Sequence, residues 1–265
     1  MVMGMSQKKT IILFVGPQGS GKTTHAKLLS QLLNKYGNVC VVALNAHSFT
    51  HILFTQLMDS VICKLFYSCI KSKFYENLPP ITMASPKLYR VLFPFLTLIH
   101  MLAYSRARSK LFAYLKRCDI VIDQEGYVFK QLADISWLAR YAELYLNDKI
   151  WKLFIKFLLR LTTNIAELTK KHNIIVILLH CDYRVLVERY YNRGRVEPYR
   201  YINFQYRFYH AVIKMLTRIV TNLRFIVVST DKPIQQSFRD IIKTLCSIYG
   251  LKEYLKSLCL NGFVI

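Results

Sequence analysis

The sequence has few acidic residues for its length. Asp and Glu number 15 against 37 Lys and Arg, which gives 265 residues a formal net charge of +22 at pH 7. Such an excess creates a positive field that attracts polyanions, including nucleotides, nucleic acid or an anionic membrane surface. The charge therefore indicates an anionic partner without selecting among these three.

Cysteines at the spacing of a C-x-x-C motif are also missing. No C-x-x-C motif is present among the seven cysteines, and their odd number argues against a disulfide framework or a zinc site. Most of them lie inside apolar runs, where a free cysteine behaves as a small buried hydrophobe. We therefore expect reduced cysteines and a cytoplasmic protein.

No long apolar run is present either. The most apolar window, residues 91–103, is interrupted by Pro94 and His100 and is shorter than the roughly 20 residues that a membrane-spanning helix needs. We expect no spanning helix, although peripheral membrane contact through this window stays open. The apolar stretch that follows the first nine residues is only five residues long, so we expect no signal peptide. Without repeats or linkers, the prediction is one domain over residues 1–265.

Five short apolar runs rich in Val and Ile predict β-strands, at residues 11–15, 39–44, 120–123, 174–179 and 225–229. Continuous apolarity indicates strands that are covered on both faces. Helical spacing between the runs predicts an α/β fold with a parallel sheet flanked by helices on both faces. The predicted helices are residues 22–36, 50–75, 87–117, 129–146, 149–172, 183–193, 200–222 and 234–248. A helical insertion at about 50–105, between the second and third strands, is suited to a substrate lid or pocket.

The segment between the first strand and the first helix reads GPQGSGKT, which has the spacing of a phosphate-binding loop. Glycines allow such a loop to curl its backbone N–H groups around phosphate oxygens, and the positive end of the following helix adds to the attraction. The predicted nucleotide-binding residues are Gly16, Pro17, Gln18, Gly19, Ser20, Gly21, Lys22, Thr23 and Thr24.

Two side chains of this loop predict the chemistry. Lys22 is placed to reach the β- and γ-phosphates of a nucleoside triphosphate, and the Thr23 hydroxyl can complete the shell of a Mg²⁺ ion held by those phosphates. ATP or a close relative with Mg²⁺ is the implied ligand.

A second candidate cluster follows the third strand, in the sequence IVIDQEG. Asp123 ends the strand at the carboxyl edge of the sheet, where a phosphate-loop enzyme needs an acid to hold Mg²⁺. Gln124 and Glu125 come next, and Glu125 could orient an attacking group or a substrate hydroxyl. The alternative is a strand-end Asp that caps the next helix.

A third cluster, ERYYNRGRVEP, follows the fourth strand and predicts an arginine lid at about residues 188–200. Arg189 and Arg193 are four residues apart on one helix face, and Arg195 follows closely. Guanidinium groups that converge on a transferring phosphoryl group stabilise its charge, so we expect these arginines to be catalytic together with Lys22 and Asp123. A solvated basic helix end is the alternative.

In its motifs the chain resembles the P-loop nucleoside monophosphate kinases, and most closely thymidylate kinase. The matching segments are GPQGSGKTTHAKLL, the Arg106 helix that leads into CDIVIDQEG, LLHCDYRVLVERYYNRGRVE with YINFQYRFYHAV, and FIVVSTDKPIQQSFRDII. The resemblance implies a P-loop NTPase fold with five parallel strands, ATP and Mg²⁺ as the phosphoryl donor, and a nucleotide acceptor such as dTMP. It also implies acceptor binding by Arg106 and a possible homodimer. Gln124 and Glu125, which follow Asp123, are the other residues that we expect to bind the acceptor.

The sequence departs from that family at two places that normally serve the acceptor. Thymidylate kinases usually have an Asp-Arg pair where this chain has Asp123 and Gln124. They also have an Arg-Glu-Pro segment where this chain has Asn45, Ala46 and His47. Together with the large apolar insertion, these departures indicate a remodelled acceptor pocket.

Two other functions remain open at this point. The net charge favours a polynucleotide or RNA end kinase, because a nucleic acid chain presents many phosphates. The altered acceptor motifs favour a nucleotide-binding module that associates with a membrane or nucleic acid and has little catalytic activity. Basic and aromatic residues alternate within 199–210, which suits a nucleic acid strand or an amphipathic helix with a solvated basic face.

Overall fold

The computed structural model describes residues 8–35, 37–44, 86–141, 143–192 and 199–247. The strands are β1 (Thr10–Val15), β2 (Val39–Val42), β3 (Ile120–Asp123), β4 (Asn173–His180) and β5 (Leu223–Ser229). The α-helices are α1 (Lys22–Leu33), α2 (Pro86–Arg117), α3 (Tyr127–Tyr141), α4 (Asp148–Lys171), α5 (Tyr183–Tyr191), α6 (Tyr199–Ile219) and α7 (Ile234–Ser247).

The strands form one parallel sheet in the order β2-β3-β1-β4-β5. This arrangement confirms the five-stranded parallel α/β fold predicted from the apolar runs. Since β1 is central and pairs with both β3 and β4, the segments that follow these three strands meet at the carboxyl edge of the sheet. In register, Leu13 of β1 lies opposite Asp123 of β3.

The central strand β1 shows why its sequence is apolar without alternation. Ile11, Leu13 and Val15 pack into a core formed with α2, α3, α4 and α6, whereas Ile12 and Phe14 pack into a second core formed with α1 and α7. Successive side chains of a strand point to opposite faces. Both faces are covered here, so all six positions of β1 are buried.

Several element boundaries differ from the sequence prediction. The helix predicted over residues 129–146 is in fact α3, which ends at Tyr141, followed by a 3₁₀ turn at Leu144–Leu146. Glu143 adopts a left-handed conformation with φ 52° at the junction, which is incompatible with a continuing α-helix. The helix predicted over 50–75, the rest of the insertion up to residue 85, and the tail 248–265 lie outside the described residues.

The expectation of cysteines without disulfides is wrong, because Cys40, Cys118 and Cys246 are all disulfide-bonded. Cys40 of β2 and Cys118, just before β3, form a disulfide with their Cα atoms 6.0 Å apart. The two residues are 78 positions apart in the sequence, so motif spacing gave no signal for the pair. They become neighbours because β2 and β3 are adjacent in the sheet. Cys181 is a buried free thiol.

The outer face of α2 is apolar over its first half. Val91, Phe95, Leu98 and Leu102 recur at helical spacing and are each more than half exposed. Among the described residues, no helix combines the length and the apolarity needed to cross a bilayer. Peripheral membrane contact and a homodimer through this part of the molecule stay predictions.

Candidate functional site

Residues 16–21 between β1 and α1 form a loop that we call the donor loop, because it is predicted to bind the phosphoryl donor. Its backbone has the geometry that its glycines predict. Gly16, Gly19 and Gly21 all have positive φ, at 144°, 74° and 91°, values that side chains with a Cβ rarely adopt. A Cβ on Gly16 would lie 2.7 Å from the backbone oxygen of Leu179 in β4. The loop is therefore pressed against the end of the neighbouring strand, and α1 begins directly after it.

Lys22 is held inside this loop. Its side chain is buried, and its ammonium group donates hydrogen bonds to the carbonyl oxygens of Gly16 at 2.9 Å and Pro17 at 2.8 Å. Thr23 and Thr24, the next two residues of α1, are exposed at the start of the helix. The loop thus combines a fixed cation, an exposed hydroxyl and the positive end of a twelve-residue helix.

Side chains satisfy four consecutive carbonyls of the loop. Besides the two bonds from Lys22, the Ser20 hydroxyl donates to Pro17 O at 2.8 Å, the Tyr190 hydroxyl to Gln18 O at 2.6 Å and the Arg189 guanidinium to Gly19 O at 3.0 Å. The Tyr190 ring also packs against Gly19. The chain therefore fixes the shape of the loop by itself, as a preorganised phosphate site requires.

Arg189, predicted as a lid arginine, connects the loop to two strand ends. In addition to Gly19 O, its guanidinium donates to Thr230 O after β5 at 2.7 Å and to the Cys181 sulfur after β4 at 3.5 Å. These bonds place one cation of the predicted lid beside the loop. Arg193 and Arg195 lie outside the described residues, so the catalytic role of all three arginines stays a prediction.

Asp123 ends β3 and is fully buried. Its Oδ1 accepts backbone hydrogen bonds from Leu44 at 2.8 Å and Glu125 at 3.3 Å. Its Oδ2 has no hydrogen-bond partner in the part of the chain that the structure describes. Burial raises the pKa of this carboxyl to about 7, mainly through desolvation. A carboxylate in this setting needs a cation at Oδ2 to be stable in its charged form.

The turn after Asp123 packs closely on β1. Gly126 has φ 77°, and a Cβ there would lie 2.9 Å from Val15 Cγ1, one residue before the donor loop begins. Gln124 is tied to β2 by its backbone N–H, which donates to Val42 O, but its buried Oε1 has no partner among the described residues. Glu125 lies 3.8 Å from the ammonium of Lys130. The turn thus presents carboxylate and amide oxygens beside the loop.

The remaining predicted acceptor residue, Arg106, lies on α2. Tyr104, two positions earlier, is buried and pairs its hydroxyl with that of Tyr127 at the start of α3. A separation of two residues puts Arg106 across the helix from Tyr104, and Arg106 is exposed. The described part of the structure thus gathers the donor loop, Arg189 and the turn after β3, while Arg106 lies on an outer helix face.

Two residues that support the loop were not predicted. Tyr190 follows the predicted Arg189 directly, so the arginine motif was a partial signal for it. His25 is buried in α1, where its Nδ1 bonds Gly21 O at 2.9 Å and its Nε2 bonds the Ser237 hydroxyl of α7 at 2.8 Å. Burial lowers the pKa of His25. The partner of His25 is 212 residues away, which no local pattern could reveal.

The residues present suit ATP and Mg²⁺. The loop contains three glycines with positive φ, and a Cβ on Gly16 would collide with Leu179 O. Asp123 Oδ2 is a buried oxygen without a donor in the described chain, and carboxylate, hydroxyl and phosphate oxygens are the ligands that Mg²⁺ prefers. Asp123 and Thr23 are therefore the side chains suited to hold the ion.

A solved structure with a similar fold is known. No protein-family model matches the sequence, and no curated protein is similar to it. Among solved structures, the chain is similar to deoxyadenosine kinase from M. mycoides with bound dCTP, with a TM-score of 0.53 and 15% sequence identity. The similarity covers 90% of this chain and 100% of that one. At such identity the similarity shows the fold alone, a five-stranded parallel sheet flanked by helices, as the apolar runs predicted. The finer resemblance to thymidylate kinase stays a prediction.

Proposed function

We propose that the protein is a kinase that transfers the γ-phosphoryl group of ATP to a nucleoside or nucleoside monophosphate. The observation that carries the proposal is the donor loop, in which Lys22 is buried against Gly16 and Pro17 at the start of a helix. Such a loop suits a triphosphate because backbone amides, the helix terminus and the lysine act on the same phosphates.

The chain supplies groups that would neutralise negative charge during phosphoryl transfer. Lys22 neutralises charge on the β- and γ-phosphates, and Arg189 stands beside the loop at Gly19 O. Asp123 and Thr23 would hold Mg²⁺, which would offset the negative charge that develops on the phosphates during transfer. Most of the catalysis then comes from positioning and electrostatic stabilisation, as is usual for this reaction.

The turn after β3 favours a neutral hydroxyl as the acceptor. Gln124 Oε1 has no donor in the described chain, and Glu125 adds a carboxylate that Lys130 offsets at 3.8 Å. Oxygen acceptors such as these bind a substrate hydroxyl well, whereas they repel a phosphate unless cations outnumber them. The 5′-hydroxyl of a nucleoside fits this turn better than a monophosphate does. The deoxyadenosine kinase with a similar fold supports the same choice.

Thymidylate is the second candidate acceptor, because the resemblance in the four motifs implies it. A monophosphate would need cations near Glu125, and Arg106 is the residue that the motifs assign to this task. The position of Arg106 on the exposed side of α2 gives this candidate less support than the hydroxyl acceptor has.

A panel of acceptors tests the proposal. Purified protein with ATP and Mg²⁺ is assayed for ADP and for phosphorylated product with each common nucleoside, each nucleoside monophosphate and a short oligonucleotide bearing a 5′-hydroxyl. We expect product with at least one nucleoside and much less product with dTMP. Product with dTMP alone would establish the thymidylate kinase function, and product with the oligonucleotide alone would establish an end kinase.

ATP binding is measured in parallel by calorimetry. If ATP binds but no acceptor is phosphorylated, the chain is a nucleotide-binding module and the kinase proposal fails. If no triphosphate binds to the folded protein, the assignment of the loop as the ATP-binding site is refuted.

A further inference from the structure

A second set of basic and aromatic side chains lies outside the donor loop, between α3 and α6. The two helices border a cleft of about 380 Å³, a volume within the range of ligand pockets. The cleft is lined by Trp137 and Arg140 of α3 and by Arg200, Asn203, Phe204 and Arg207 of α6. Three guanidinium groups thus surround two aromatic rings.

No acidic side chain in the described part of the chain neutralises the charges of these arginines. Arg140, Arg200 and Arg207 are exposed, and within the described residues none of their guanidinium groups forms an ion pair or a hydrogen bond. The sequence of α6 contains no Asp or Glu. Asp134, the one acid of α3, is buried and accepts a hydrogen bond from Tyr201. The cleft therefore presents three positive charges that an anion can use.

The aromatic rings of the cleft provide flat apolar surface beside those charges. Trp137 and Phe204 are half-buried, with ring centroids 5.3 Å apart and planes inclined by 55°. Nucleic acid bases stack on tryptophan and phenylalanine rings without regard to base identity, while nearby cations hold the phosphates. The chemistry of the cleft matches a nucleoside with attached phosphates.

The basic surface continues along α6 beyond the cleft. Arg200, Arg207, Lys214 and Arg218 recur every seven, seven and four residues, which puts them on one face of the helix. All four are exposed, and the 18 residue steps from Arg200 to Arg218 span about 27 Å at a rise of 1.5 Å per residue. A mononucleotide would occupy the cleft alone, whereas a strand would also use Lys214 and Arg218.

We propose that the cleft and the basic face of α6 bind single-stranded nucleic acid. Trp137 and Phe204 stack on bases, and the arginines of the cleft together with Lys214 and Arg218 contact successive phosphates. This binding accounts for part of the net charge of +22, which one small acceptor does not require. It goes beyond the proposed phosphoryl transfer and does not depend on it.

A pair of matched variants tests the site. The double substitution Arg140→Ala, Arg207→Ala removes two charges from the cleft, and the control Lys152→Ala, Lys156→Ala removes two exposed charges from α4. The probe is a fluorescein-labelled oligodeoxythymidylate of about twelve nucleotides, a length within the known site sizes. Binding is measured by anisotropy over a range of salt concentrations.

We expect the cleft variant to bind the oligonucleotide about tenfold or more weakly than the unmodified protein, while the control changes affinity about twofold at most. The plot of log K against log salt should also become less steep by about 1.4 in the cleft variant alone, because single strands lose about 0.7 per phosphate contact. Equal weakening in the two variants would overturn the proposal, since net charge rather than the cleft would then hold the strand.

The two tryptophans give an independent measurement. Trp151 lies on α4 and stacks on Phe154, so Trp151→Phe leaves Trp137 as the single tryptophan of the chain. We expect the oligonucleotide to quench the emission of Trp137. Binding of the oligonucleotide without any change in this emission would contradict the proposal. If dTMP displaced the oligonucleotide at the same nucleotide concentration, the cleft would be a mononucleotide site and the proposal would also fail.

Discussion

The donor loop and the turn after β3 lie at the same edge of the sheet but are held in different ways. In the loop, four consecutive carbonyls accept hydrogen bonds from side chains, and Lys22 is itself one of the donors. In the turn, Asp123 Oδ2 and Gln124 Oε1 are buried and have no donor within the described residues.

The loop therefore has a conformation that the protein fixes, whereas the turn has acceptor oxygens that no group in the described residues satisfies. The loop needs no ligand to keep its conformation, because side chains satisfy its carbonyl groups and glycines provide the backbone angles. The turn after β3 has an excess of acceptors, which costs free energy until a cation or a donor arrives. We therefore expect substitutions in the turn to change the response to Mg²⁺ and acceptor, and substitutions around the loop to change the binding of ATP.

The largest effect on turnover is expected from substitution of Lys22, the cation held in the donor loop. Lys22→Met keeps an apolar stem in the buried site but removes the ammonium group, so kcat should fall by about 10²- to 10³-fold. The measurement is steady-state ADP release with a saturating acceptor. Lys27→Met, an exposed lysine of the same helix, is the control and should retain normal turnover. Undiminished turnover in Lys22→Met would show that the loop lysine is not catalytic.

The second largest effect is expected from substitution of Asp123, the acidic residue of the turn after β3. Asp123→Asn should lower kcat about 100-fold and raise the Mg²⁺ concentration needed for half-maximal activity, because the amide is a weaker ligand than a carboxylate. A Mg²⁺ titration of initial rates measures both. Asp119→Asn at the other end of the same strand loses a partly exposed ion pair with Lys9 and should leave Mg²⁺ dependence unchanged. The same Mg²⁺ response in both variants would remove Asp123 from the metal site.

A smaller effect is expected where side chains hold the shape of the loop. Tyr190→Phe removes the hydroxyl that donates to Gln18 O, and the KM for ATP should rise about fivefold, which corresponds to one hydrogen bond of about 1 kcal/mol. The neighbouring Tyr191 is 81% exposed, so Tyr191→Phe should have no effect. An unchanged KM in Tyr190→Phe would show that the loop keeps its shape without this bond.

The smallest effect is expected from loss of the hydrogen bond between His25 of α1 and Ser237 of α7. Ser237→Ala removes the hydroxyl bonded to the buried His25 Nε2, and the free energy of unfolding should fall by about 1 kcal/mol. Chemical denaturation with urea measures it, and Ser247→Ala in the exposed last turn of the same helix is the control. Equal stability of the two variants would mean that α7 does not hold α1 through this bond.

Much of the fold could be predicted because its signals are local. Each strand is an apolar run of four to eight residues, and both faces of the sheet are covered, so the runs stand out from the helical segments between them. The main error, at Glu143, came from a single left-handed residue that ends α3 early. The paired cysteines at 40 and 118 were missed since only the pairing of β2 with β3 brings them together.

The sequence by itself determined the donor site, because its residues are consecutive and the glycine spacing dictates a local backbone conformation. Tertiary structure alone decided which side chains hold that loop, which oxygens at the end of β3 are left without donors, and which arginines line the cleft between α3 and α6. These properties depend on segments as far apart as His25 and Ser237, and contacts between distant segments follow from packing around the sheet rather than from any local pattern.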